Sequence, residues 1–182
     1  DSDFTWRVHN FEGGTRRVGP GTGEWVSISE IPNHVYRSVV AAEDDRFWIH
    51  NGLDEMAILS AFRANLEAGR VVRGGSTISQ QVVKNFFLDH ERTLARKLQE
   101  AFLTWQLEQL VSKEAILEIY LNLVHWGPGI YGVRQASLGY FDHLPEQLSL
   151  RESIFLASIL PNPALFGEQY TRRIIPPSRR QK

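Results

Sequence analysis

The chain has 182 residues, 42% hydrophobic and 23% charged, long enough for one well-cored domain and short for two. A formal charge of −1 argues against a nucleic-acid partner, although a local basic stripe would vanish in that total. The absence of cysteine excludes a disulfide framework and a thiolate metal site and suits an oxidising compartment. No apolar run approaches the ~20 residues of a membrane-spanning helix or has the layout of a signal peptide. The chain starts at Asp1 without Met and stops in the basic run "SRRQK", which reads as an excised domain.

Residues 1–24 contain "EGGTRR" and "GPGTG" and read as a flexible N-terminal arm or a short hairpin, with the domain proper over 25–182. Pro32 opens a helical pattern in which Val35, Val39 and Ala42 share a face, ending near Glu43. Asp54 is placed to cap a helix over 55–68 that Gly69 closes. After "VVRGG", the stretch Thr77-Ile-Ser-Gln80 fits a capping box that starts a third helix. Leu94, Leu98, Ala101, Phe102 and Trp105 keep helical spacing up to Leu110, and Ser112 restarts a helix expected to run to Gly127. "GPGIYG" is a loop, "VRQASLGYF" a short helix, and Ser149-x-x-Glu152 caps a last helix halted by Pro161. No segment shows sustained period-two alternation, so the fold class is mainly α.

Three features carry chemistry. In "AAEDDRFWIHNGLD", Glu43, Asp44 and Asp45 stand beside Phe47 and Trp48; like charges and lost water both raise a carboxyl pKa, one route to a general base. The capped start at Thr77, behind Gly74-Gly75, aims free N–H groups at an anion or at sugar hydroxyls, or is simply a well-made cap. Gln80 and Gln81 add two amides, with Lys84 one turn beyond. Arg92, Arg96 and Glu100 are spaced four apart, with Lys97 beside them, opposite Leu94 and Leu98. That face is either solvated and laced with an ion pair or, with Lys84, a cationic cluster suited to a diphosphate. His50 has no companions at metal spacing and reads as a structural or hydrogen-bonding histidine. Met56, Leu59, Phe62 and Leu66 form a stripe that is either core or a surface for lipid or a partner.

Taken together, "EDDRFWIHNGLD", "GGSTISQQVVK", "RKLQE", "KEAILEIYLN" and "ASLGYF", in that order, resemble the family 51 peptidoglycan glycosyltransferases. That family comprises monofunctional transglycosylases and the glycosyltransferase domains of class A penicillin-binding proteins; the likeness runs from Trp25 to Phe166. It implies a two-lobed, lysozyme-like α fold that polymerises lipid II, with the growing glycan on undecaprenyl pyrophosphate as donor and the GlcNAc 4-hydroxyl as acceptor. By this resemblance Glu43 is the catalytic base. Glu100 supports the acceptor side or holds a divalent metal, Mg or Mn, no cofactor being otherwise required. Ser76, Thr77, Gln80 and Gln81 contact substrate, and Lys84, Arg92 and Arg96, with Lys97 beside them, hold phosphate or pyrophosphate. A small lobe over 54–73 is expected to meet the membrane surface, at the outer face of the cytoplasmic membrane in a bacterial envelope, among other cell-wall synthesis proteins. Ser79 for the usual Thr, Gln135 for a small residue, and "YFDH" after the aromatic pair depart from the pattern and bear on acceptor preference and the local loop. No S-x-x-K or K-T-G occurs, so this chain carries no transpeptidase domain. The rival readings are a lytic transglycosylase or lysozyme-like peptidoglycan hydrolase, which would need no cationic cluster, and a catalytically silent wall-synthesis scaffold.

Overall fold

Hydrophobic periodicity translates directly into a helical body. The computed structural model describes residues 5–9, 15–72, 74–87 and 93–165. Its helices are α1 (Asn33–Glu43), α2 (Glu55–Ala68), α3 (Ile78–Phe87), α4 (Leu94–Leu110), α5 (Lys113–Leu123), α6 (Val133–Phe141) and α7 (Leu150–Ile159). The described chain is mainly α, as its period suggests. Ile116, Leu117, Tyr120 and Leu121 are fully buried, which makes α5 the central helix. Around it pack α3, α6 and the α1–α7 pair, with Phe47 and Trp126 filling the same core.

The caps follow local side-chain chemistry. Asp54 accepts from Ala57 N at the start of α2, and Gly69 ends that helix in the left-handed region, φ 61°. Thr77 and Gln80 form the reciprocal box that starts α3, and Ser149 with Glu152 does the same for α7.

Three readings are settled or changed. Of the flexible arm and the short hairpin offered for residues 1–24, the described residues form the hairpin: β1 (Trp6–His9) pairs antiparallel with β2 (Thr15–Val18) and docks on the helical body. Val8 and Val18 are buried against Leu123, and Arg16 donates to the carbonyls of Asn122 and Leu123. The helix expected to reach Gly127 stops at Leu123. Val124, His125 and Trp126 favour extended backbone, and β3 (His125–Gly127) pairs with β4 (Ile130–Tyr131) around Pro128-Gly129. These strands are too short to show period-two alternation.

The third concerns α4, whose polar side faces inward. Glu100 is 2% exposed and Thr104 fully buried, whereas Leu94, Leu98, Phe102 and Trp105 are exposed. The solvated-face reading of Arg96 and Glu100 is therefore wrong: Arg96 is largely covered, and its partner is buried. On α2, Met56, Leu59, Phe62 and Leu66 also point outward, with Ala61 the buried residue of the helix.

Candidate active site

The site is built where α1 ends and α3 begins. Glu43 is the last residue of α1, and Asp44, its C-cap, leaves helical geometry at φ −162° and ψ 73°. The buried Asp44 carboxylate accepts from Ile78 N at 2.9 Å, so it clamps the end of α1 to the N-terminus of α3. His50 Nε2 lies 3.0 Å from both Asp44 oxygens, and His50 Nδ1 accepts from Gly52 N at 3.1 Å. Gly52 sits at φ 92°, and a Cβ there would meet Thr104 Cγ2 at 2.9 Å; only glycine suits that turn. His50 is thus the hydrogen-bonding histidine expected from its isolation in the sequence.

Glu43 lines a cleft of about 450 Å³ with Asp44, Asp45, Gly74, Gly75, Ser76, Thr77, Gln81 and Pro161. Burial raises its pKa; a hydrogen bond from Gln81 lowers it in part, the Asp44 charge raises it, and Lys84 lowers it. Gln81 Nε2 donates to Glu43 Oε2 at 2.8 Å. Thr77 donates from its hydroxyl to Gly52 O at 2.6 Å while accepting from Gln80 N, so its polar atoms hold the cleft wall together. Gly75 lets α2 approach that wall, since a Cβ would lie 3.0 Å from Ile58 Cα.

A second charged group lies along α3 and α4. Glu100 Oε2 accepts from Arg96 at 3.1 Å, and Oε1 accepts from Lys97 and from Gln80 Nε2. Lys97 also reaches Ser76 Oγ at 3.4 Å. Lys84 faces Glu100, Lys97, Arg96 and Glu43; burial lowers its pKa, with the two carboxylates opposing and the two cations adding. Among the described residues Lys84 makes no ion pair, and Arg96 Nε and Nη1 are buried without an acceptor. Cations held this way are ready for an anionic ligand.

The donor set at Glu100 does not fit a divalent metal. Its oxygens already accept from two cations and an amide, and no group of three His, Asp or Glu side chains stands together among the described residues. Arg92 lies outside the described residues.

The structure therefore brings Glu43, Ser76, Thr77 and Gln81 around one cleft, and Gln80, Lys84, Arg96, Lys97 and Glu100 into one charged cluster beside it. Sequence reasoning missed three groups. Asp44 appeared only as a like charge next to Glu43, yet it joins two helices. Tyr120 stood inside the helical stretch "KEAILEIYLN" with no role of its own, yet its hydroxyl reaches Gln81 at 3.5 Å. Glu108 anchors Ser79 Oγ at 2.5 Å and Lys113 at 2.7 Å, while Lys113 stands 4.4 Å over the Phe47 ring. The hydroxyl needed there is kept by Ser79 in place of Thr. Gln135, the other departure, accepts from Tyr131 N and pins β4.

Similarity agrees with this geometry. Residues 14–179 match the family model described as Transglycosylase. A biosynthetic peptidoglycan transglycosylase of Nitrosomonas eutropha is 46% identical over 142 residues, 78% of this chain and 58% of that protein. One of the same name from Acinetobacter baylyi is 46% identical over 145 residues, 80% of this chain and 65% of that protein. Penicillin-binding protein 1A of Aquifex aeolicus is 47% identical over 146 residues, 80% of this chain but 20% of that protein. The chain thus spans less than two thirds of the length of each of these relatives. With the match running over nearly its whole length, the chain belongs to the transglycosylase family.

Proposed function

We propose that the chain is a peptidoglycan glycosyltransferase, polymerising lipid II into β-1,4 glycan strands with release of undecaprenyl pyrophosphate. The observation that carries this reading is the pairing of one raised-pKa carboxylate, Glu43, with Lys84, which makes no ion pair among the described residues, and with the N–H groups of Arg96 that have no acceptor there. Glu43 takes the proton from the GlcNAc 4-hydroxyl as that oxygen attacks C1 of the donor. The C1–O bond to pyrophosphate breaks, and the leaving group departs as an anion that Lys84 and Arg96, with Lys97 nearby, stabilise. A leaving group of that kind needs no general acid, and no step requires a metal. Attack opposite the departing group inverts C1.

A hydrolase of related architecture would ask its second carboxyl to protonate a sugar oxygen. Glu100 is buried and accepts from Arg96, Lys97 and Gln80, which suits it to hold cations rather than to donate. A silent scaffold would not need the carboxylate and cations at all.

The membrane is the proposed second partner. Met56, Leu59, Phe62 and Leu66 are exposed apolar residues of α2, whose Ala57 lines the cleft, and Trp48 and Ile49 just before it are exposed too; Arg63 and Arg70 would meet lipid phosphates. No helix among the described residues is long and apolar enough to cross a membrane. This reading places the site at the outer face of the cytoplasmic membrane within the cell envelope, where the polyprenyl chain of the substrate is held. Parallel incubations with lipid II and with lipid-free glycan strands test the assignment. Elongated strands from the first and no cleavage of the second are expected; cut strands without polymer would make the protein a hydrolase.

A further inference from the structure

Gln81 lies where the sequence pattern puts a substrate contact, yet its amide is engaged by protein at both ends. Nε2 donates to Glu43 Oε2 at 2.8 Å, and Oε1 accepts from the Tyr120 hydroxyl at 3.5 Å. Tyr120 comes from the central helix α5 and is fully buried. Gln81 is the acceptor for its hydroxyl among the described residues. A phenylalanine would fill the same volume without placing a hydroxyl in the core, so the hydroxyl has a use at that spot. Burial first, then the charges of Glu43 and Asp44, push the phenol pKa well above its ordinary value, which keeps it a donor.

Glu43 needs such support. It ends a helix, and Asp44 fixes the backbone there through Ile78 N, but its own side chain retains several rotatable bonds. A base that wanders loses the near-attack geometry on which transfer depends. We infer that Tyr120 and Gln81 form a positioning pair for the base. The phenol holds the amide oxygen, the amide NH₂ holds Glu43 Oε2, and Glu43 Oε1, which has no hydrogen bond among the described residues, takes the proton. This rests on Glu43 being the base, as proposed above. Neither residue touches the reacting atoms in this role.

The test compares lipid II turnover by the intact protein with Gln81→Met, Tyr120→Phe and the double variant, across pH, with a melting curve for each. Besides this pair, the groups facing Glu43 are Asp44 beside it, Asp45 at the cleft and Lys84 on α3, and all three stay unchanged. Gln81→Met should lower kcat roughly ten- to a hundred-fold, the worth of one hydrogen bond to a charged group, and Tyr120→Phe about two- to tenfold, with KM near wild type. Because the lost hydrogen bond favours the ionised carboxylate, the acid limb of the kcat profile should move to higher pH in both. The double variant should be no slower than Gln81→Met, since Tyr120 acts through Gln81. An unmoved acid limb, or a raised KM at unchanged kcat in Gln81→Met, would overturn the inference and make Gln81 a substrate contact or a structural residue. Fully additive losses would detach Tyr120 from Gln81. Glu43→Gln separates the two levels: normal turnover there removes the base itself, whereas an inactive Glu43→Gln with an unmoved Gln81→Met profile removes only the pair.

Discussion

Glu43 carries a stability cost that follows from its chemistry. Burial raises its pKa, so at pH values between the unfolded carboxyl pKa and the raised folded one the native state binds more protons than the unfolded chain. Stability therefore falls as pH rises through that window and stays lower above it. Replacing the carboxyl by a neutral amide removes this dependence. Glu43→Gln should melt higher than wild type at neutral pH by a few degrees, with the difference vanishing below the unfolded pKa. Calorimetry from acid to neutral pH would check this, and equal melting temperatures throughout would mean that the carboxylate is not held against its solvation preference. The sequence showed that three carboxylates crowd two aromatics, and the family resemblance picked out Glu43 among them. It could not show that Asp44, one residue on, serves a different purpose, because the acceptor it meets, Ile78 N, lies 34 residues away.

At the scale of elements, α4 carries the larger consequence. Its Glu100 is buried under Arg96 and Lys97, with Lys84 close by. Glu100→Ala would leave those cations facing one another without the carboxylate. A fully buried pair broken in this way costs about 3–5 kcal/mol, but Lys97 is half exposed, so about 1–3 kcal/mol is the better expectation. For a chain of this size that is a fall of roughly 2–10 °C in melting temperature, accompanied by loss of turnover. An unchanged melting curve would show the cluster to be loosely held. Helix boundaries were legible because they rest on local chemistry: Asp54, Thr77, Ser112 and Ser149 each accept the backbone N–H three residues on. Which face of α4 turns inward was not legible. Its apolar stripe satisfies helical period equally well inside or outside, and only the position of α3, with Gln80 and Lys84, explains why the charged side is the covered one. The β1–β2 pair was legible only as one of two readings of residues 1–24, because four-residue strands carry too few alternations to decide between them.

For the whole molecule, the exposed stripes on α2 and α4 are the feature that an ordinary globular domain would avoid. Phe62 is 65% exposed and Leu66 71%, so their removal takes little from the core. Phe62→Ser with Leu66→Ser should leave the melting temperature within a few degrees of wild type while weakening liposome binding and slowing lipid II turnover. A large drop in melting temperature with liposome binding unchanged would make the stripe a packing surface instead. In the proposed reaction the polyprenyl chain anchors the substrate in lipid, at ~0.8 kcal/mol per buried CH₂, which would require the cleft to come down to the headgroups. The central claim of the proposal is glycan transfer to a lipid-linked acceptor with Glu43 as the base. The most direct measurement is lipid II polymerisation by Glu43→Gln, resolved on gels alongside wild type, with a melting curve showing the variant folded. Loss of glycan product by ~10²–10⁴-fold in the folded variant is predicted; near-normal turnover would contradict the assignment of Glu43 as the base.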